Sequence, residues 1–466
     1  MVALNRLLTS GLIFGYPNHF TEVASPDLAA KEQYNIVRYL AAAGPYVQNP
    51  GYGISTDIPK SCTIEQVHYL SRHGERFPGL WEGKTHEAIL EKILKTPGKL
   101  QGDLEFLNNY KYYVTSEDLY ELETTPENSN GPYTGYGTAI RAGKSFAEKY
   151  SSLLNKDEPL PVFIAASQRV YDTAINFVKA FLGNDYSSNS VKQVIISEDS
   201  KYGLNSLVPR WGCPAFNSDA HKEKVLTTFP KDYLEDIVFR WKSSNPELDL
   251  NSDDVYHIFE ICAYELNSRG YSPFCNLFSK DEFVSYGYNR DLEFYYSSGP
   301  GGQNAINAGA TQLKATMKLL EDNNNENKIW LSFTHDTDIE LFSSALGLFD
   351  TIEPMPMDKI RLTDTYHHVN IVPMGARIIT EKLKKEDNYF IRFIVNDAVI
   401  PVPGCSSGPG FSCPFDQFKQ YIQGRIGHLN IPKDCNTAPN VPQELTFYWD
   451  YKEVTYDAPA IRINPK

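Results

Sequence analysis

Three stretches of this chain read as a short apolar strand that runs into a polar loop and then toward a helix. That recurrence limits the possible folds more than any other feature. The first strand is residues 66–70, followed by Ser71-Arg72-His73-Gly74-Glu75-Arg76-Phe77-Pro78. The second is Val162-Phe163-Ile164-Ala165-Ala166, then Ser167-Gln168-Arg169. It leads into a run in which Val170, Ala174, Phe177, Val178 and Phe181 recur at helical spacing before Gly183. The third is Ile329-Trp330-Leu331-Ser332-Phe333, then Thr334-His335-Asp336 and a helix holding Ile339, Phe342 and Leu346. Short apolar strands alternating with helices predict an α/β fold, a mainly parallel sheet flanked by helices. Ligands of such sheets bind at the carboxyl ends of the strands. The loops carrying Arg72, His73 and Arg76, then Arg169, then His335 and Asp336 are therefore expected to share one edge.

Residues 207–307 differ: they are rich in aromatic and polar residues with a helical pattern and little strand signal. Residues 87–95 and 117–123 also read as helical. The expected organisation is a core from 26–82, 132–206 and 326–466, with an inserted α-helical cap from 83–131 and 207–325. The tail returns to strands at 376–383, 389–395 and 445–449. Residues 1–25 form a candidate signal or amino-terminal segment: Arg6 precedes a short, interrupted apolar run without a clear cleavage site, and an amphipathic helix fits the same residues.

The chemistry concentrates in the loops. Cations beside His73 depress its pKa and keep the ring neutral and nucleophilic. Guanidinium groups also grip phosphate bidentately. Cleaving a phosphate monoester through a covalent intermediate requires a nucleophile, charge on the equatorial oxygens and a proton for the leaving alkoxide. His73 suits the first role, Arg72, Arg76, Arg169 and His335 the second, and Asp336 the third. Asp336 also reads as a helix N-cap. Asp338 is a rival acid, but its place in a first helical turn reads as a dipole-favoured surface residue. His257, His367 and His368 read as structural, and Glu75 as a partner for an arginine. The aromatic load of 30 Tyr and 25 Phe reads as core and cap packing.

With a net charge of −14, nucleic acid is not an expected partner. No apolar run approaches the ~20 residues of a membrane span. Seven cysteines without a Cys-x-x-Cys pair argue against structural zinc. Cys262/Cys275 and Cys405/Cys413 bracket turn-rich segments suited to disulfide-closed loops in an oxidising compartment, so secretion is expected. The chain contains no Asn-x-Ser/Thr sequon, although one so rich in Asn and Ser would carry a few by chance.

Arg72-His73-Gly74-Glu75-Arg76-Phe77-Pro78 together with His335-Asp336 resembles the signature of the histidine acid phosphatases, the family of yeast secreted acid phosphatases and fungal phytases. The likeness extends through Asp57-Ile58-Pro59-Lys60-Ser61-Cys62, Pro132-Tyr133-Thr134-Gly135 and Cys262-Ala263-Tyr264-Glu265-Leu266-Asn267-Ser268-Arg269-Gly270-Tyr271. It continues through Leu331-Ser332-Phe333-Thr334-His335-Asp336-Thr337-Asp338 and Val395-Asn396-Asp397-Ala398-Val399. The resemblance implies a phosphoglycerate-mutase-like α/β domain with a helical cap. It also implies an acid phosphatase acting on phosphate monoesters, with phytate a candidate substrate. His73 would form a phosphohistidine and Asp336 would donate the proton. Arg72, Arg76, Arg169 and His335 would bind phosphate, with no metal and no cofactor. The implied disulfides are Cys213–Cys435, Cys262–Cys275 and Cys405–Cys413. Cys62 lacks the partner that the family places just before the Asn-Asp strand, which accounts for the odd count. Phe77 stands where tyrosine is common. A homo-oligomer is compatible with the sequence. Two alternatives are a phosphomutase and a non-catalytic phosphate-binding wall protein; the intact His73 and Asp336 speak against the second.

Overall fold

The computed structural model describes residues 35–217, 225 and 227–461. The candidate signal segment, residues 1–25, lies outside the described residues. Eight strands form one sheet: β1 (Thr63–Arg72), β2 (Leu160–Ala165), β3 (Val191–Ile196), β4 (Ile329–Thr334), β5 (Arg377–Lys385), β6 (Asn388–Val395), β7 (Ala398–Ile400) and β8 (Cys413–Pro414). Their order is β3-β2-β4-β1-β5-β6-β7, with β8 also pairing β6. β3, β2, β4 and β1 run parallel, whereas β5 to β8 pair antiparallel. Strands β2 and β4 are buried throughout, as expected of parallel strands covered on both faces. Asn396 and Asp397 join β6 to β7 with φ of 44° and 66°. Those are the left-handed values a tight hairpin needs and these two residue types tolerate.

The main helices are α1 (Leu80–Leu94), α2 (Gly135–Tyr150), α3 (Gln168–Leu182), α4 (Asp232–Ser244), α5 (Ser252–Arg269), α6 (Lys280–Tyr295), α7 (Ala305–Glu321), α8 (Asp336–Leu346) and α9 (Phe415–Ile426). Helix α3 buries Val170, Ala174, Phe177, Val178 and Phe181, and stops at Gly183, where φ is 53°. Phe177 packs on Tyr69 of β1 and Phe333 of β4, which fixes the helix over the sheet. A separate hydrophobic cluster joins Ile89 and Ile93 of α1, Trp241 of α4, Phe259 of α5 and Phe283 of α6, together with Val37 and Leu40.

Several sequence expectations need correction. Helix α7, expected in the 207–325 insertion, joins the core instead: Leu313 and Leu320 cluster with Leu70 of β1, Ile378 of β5 and Ile339 of α8. At Gly309 a Cβ would come within 1.9 Å of the Leu341 carbonyl, so α7 and α8 touch backbone to backbone. Residues 445–449 do not form a strand: Phe447–Asp450 is a short helix, and its Phe447 and Tyr448 rings pack tilted and edge-on against Phe163. Residues 117–123 form only the turn Glu117–Leu119. Strand β3 was not foreseen, because Lys192 and Gln193 face solvent at the sheet edge and break its apolar run.

Cys213–Cys435, Cys262–Cys275 and Cys405–Cys413 are joined as disulfides, and Cys62 is free. Among the described residues, no helix is long and apolar enough to cross a membrane.

Candidate active site

The parallel register sets Arg72 opposite Thr334 and Phe333 opposite Ile164, so β1, β4 and β2 end at one edge. Each hands its chain to a loop there. His73 leaves β1 with its amide bonded to the Thr334 carbonyl at 3.2 Å, and its own carbonyl accepts from Gly375. The His73 ring is 2% exposed. Its Nδ1 lies 2.9 Å from the Gly74 carbonyl, which can only accept. Nδ1 therefore carries the proton and Nε2 the lone pair. Gly74 makes this turn possible: a Cβ there would sit 2.5 Å from Gly135 Cα. The Gly74 amide donates to Thr173 Oγ1 at 2.8 Å, and Thr173 donates to the buried Glu123.

The cations surround this ring. Arg72 is fully buried, and one of its nitrogens donates to the Ala42 and Val372 carbonyls at 2.8 Å each. Its other terminal nitrogen is 2.8 Å from Asp336 Oδ2. Arg76 donates to the Phe77 carbonyl and lies over the Tyr264 ring. Arg169 pairs with Glu121 and reaches His335 Nδ1 at 3.5 Å. The Nε atoms of Arg72, Arg76 and Arg169 are all buried without a hydrogen-bond partner. Three guanidinium groups acting on one imidazole suit the binding of a phosphoryl group. His335 stands 5.8 Å from His73, ring centre to ring centre, and its Nε2 is 2.8 Å from Glu198 Oε1.

Burial depresses the His73 pKa well below its ordinary value, and Arg169, Arg72, Arg76 and His335 add to the effect. Both effects favour the neutral ring. For Asp336, burial alone would raise the pKa, but Arg72, Arg210 and His73 pull it well below the usual carboxylate range.

All six residues predicted for the site thus gather at one edge. Three local readings change. Asp336 is the first residue of α8 and His335 occupies the N-cap position. Arg72 draws the Asp336 carboxylate across the pocket, leaving Oδ1 to accept from the adjacent Thr337 amide at 2.8 Å. Asp338 is buried rather than at the surface, and binds Arg210 at 2.9 Å. Glu75 accepts from the Tyr46 amide at 2.9 Å instead of pairing with an arginine by hydrogen bond. His257, His367 and His368 each bind a carboxylate away from the pocket: Glu260, Asp291 and Glu340.

Sequence reasoning missed Glu198, Glu121 and Arg210. Glu198 follows β3 by two residues, so recognising that strand would have supplied a fourth loop at the same edge.

A buried histidine with a free Nε2, set among arginines at the carboxyl edge of a parallel sheet and facing an aspartate, defines a phosphoryl-transfer class of protein. The chain belongs to the histidine phosphatase superfamily (branch 2), whose model matches residues 63–396. It is 45% identical over 463 residues to the phytase PHO112 of Candida albicans, covering 98% of this chain and 99% of that one. It is 38% identical over 438 residues to the constitutive acid phosphatase of Saccharomyces cerevisiae, covering 91% and 92% of the two chains. The crystal structure of the phytase from D. castellii superposes with a TM-score of 0.90 at 44% identity, covering 94% of this chain and 95% of that one.

Proposed function

We propose that the protein is an acid phosphatase that hydrolyses phosphate monoesters, phytate among them, through a phosphohistidine on His73. The observation that carries this reading is the geometry of the His73 ring, whose Nδ1 is held by the Gly74 carbonyl so that Nε2 carries the lone pair, with Arg169, Arg72 and Arg76 close enough to act on it.

Nε2 attacks phosphorus as the ester oxygen leaves with a proton from Asp336. Water then attacks the phosphohistidine, Asp336 takes up a proton from it, and inorganic phosphate departs. Arg72, Arg76, Arg169 and His335 hold the phosphoryl oxygens throughout. Asp336 is ionised in the empty pocket because of Arg72. A bound phosphate shares that arginine and places negative charge beside the carboxyl, so the acid takes up its proton as substrate arrives. Uptake of that kind favours acidic conditions.

Phytate fits a pocket this rich in arginine, and the names of two relatives point the same way. The three disulfides support secretion. The test is phosphate release from a chromogenic aryl phosphate and from phytate at about pH 5, with a chelator present, for the native chain and His73→Ala. Equal rates in the two proteins would remove the nucleophile assignment.

A further inference from the structure

Glu198 is an anion in a pocket otherwise built to attract anions, and no step above uses it. Its side chain is 14% exposed, and Oε1 lies 2.8 Å from Nε2 of His335. Burial would raise its pKa, but His335, Arg169 and Arg210 outweigh burial and hold the carboxyl below its ordinary range. A carboxylate only accepts, so His335 Nε2 carries a proton and Nδ1 faces Arg169. In the neutral ring Nδ1 is a lone pair, which a phosphate oxygen avoids. Only the imidazolium donates from both nitrogens.

The charged groups around His335 come from every element that packs on it. Arg169 stands at the head of α3, Arg210 in the turn Pro209–Gly212, and His73 after β1. Asp336 and Asp338 follow on its own helix, each bound to an arginine. Burial and both arginines oppose a second proton on His335, and Glu198 favours it.

Resting on the reaction proposed above, we infer that Glu198 is a positioning residue: it turns the His335 ring so that Nδ1 faces the phosphoryl oxygens and supplies the counter-charge that lets Nδ1 take a proton from solvent when phosphate binds. Because it works through His335, a phosphate-binding group in the proposed reaction, it acts on binding more than on turnover.

Glu198→Gln keeps the acceptor and the size but removes the charge. Its kinetics against pH on an aryl phosphate should show KM and the inhibition constant for inorganic phosphate raised about 10-fold. The alkaline limb of kcat/KM should move down by about one pH unit, with kcat changed much less. Glu198→Asp should restore part of the loss. In a His335→Ala background Glu198→Gln should add little, because its target is gone. A Glu198→Gln pH profile that superimposes on the native one, or effects that simply add to those of His335→Ala, overturns the inference. A His335→Ala protein with native KM instead overturns the binding role given to His335 in the proposed reaction. Ring-nitrogen NMR of the native protein needs no variant. His335 should be the Nε2–H tautomer when the pocket is empty and an imidazolium with inorganic phosphate bound; a neutral ring in that complex rules the inference out.

Discussion

Arg72 and Asp336 meet at 2.8 Å, the last residue of β1 against the first residue of α8. In the proposed reaction this contact links a phosphate-binding cation to the acid that protonates the leaving group, and an anion that shares Arg72 would let the carboxyl take up its proton. Asp336→Asn should lower kcat on alkyl phosphates about 10²- to 10⁴-fold. Aryl phosphates, whose leaving groups need less protonation, should lose much less. An equal loss on both substrate types would assign Asp336 to positioning instead.

Burial and the surrounding cations hold the His73 pKa well below its ordinary value, which favours the neutral ring that the proposed nucleophile needs. Arg169 is the largest of the charged contributors. Arg169→Gln should therefore raise the pKa of His73, and the acid limb of kcat/KM should move toward neutrality. KM should rise as well, since a phosphate ligand is lost. An acid limb that stays in place while KM rises would mean that Arg169 does not set the charge state of His73.

Gly74→Ala should fold and yet lose activity. The added methyl would press on Gly135 Cα and on Glu123, displacing the turn that aims His73. A misplacement of ~1 Å in such a group costs on the order of 100-fold. A native-like circular dichroism spectrum, a lowered Tm and kcat reduced by about that factor are the expected results.

His68 lies on β1, five residues before His73; it is buried, and its Nε2 lacks a partner. Burial, assisted by Lys382, pushes its pKa down to about 3. The unfolded chain binds this proton more readily than the native state does. Its stability contribution is therefore complete above the unfolded pKa of about 6.5 and is lost as pH falls toward the folded value. At about pH 4 the loss amounts to roughly 3 kcal/mol. His68→Phe should flatten the acid side of the stability curve, measured as urea midpoints at neutral and acidic pH, without changing KM.

The disulfide between Cys213 and Cys435 closes a loop across a sequence separation of 222. Replacing both cysteines by serine should cost about 3–5 kcal/mol and lower Tm. The pair Cys405–Cys413, separated by 8, closes a far smaller loop and should cost less when removed. Reversed rankings in thermal melts would show that local strain or packing, and not loop closure, governs these bonds.

The three strand-to-loop junctions are legible because each strand is a short, mostly apolar run that ends in a polar loop, and the helices after the second and third repeat at helical spacing. From them the parallel sheet and the meeting of Arg72, His73, Arg76, Arg169, His335 and Asp336 could be expected. β3 escaped because an edge strand wets one face and loses its hydrophobic signature. With it went Glu198. α7 read as part of the helical insertion because periodicity reports a buried face but not which layer buries it. Asp338 read as a surface residue because its partner, Arg210, lies far off in sequence and meets it only once the chain has folded. Phe447 and Tyr448 look like strand residues by type, yet they fill space beside Phe163 from a helical turn.

The strand that bears the nucleophile lies between β4 and β5, both drawn from the later part of the chain. While the polypeptide is being made, β1 emerges early and waits, with neither flank covered, until residues beyond 329 and 377 follow. Nothing resembling the phosphate pocket exists on a nascent fragment. Such a chain needs shelter from aggregation for most of its synthesis. A product that ends before β4 lacks His335 and Asp336 as well, so it has no complete pocket.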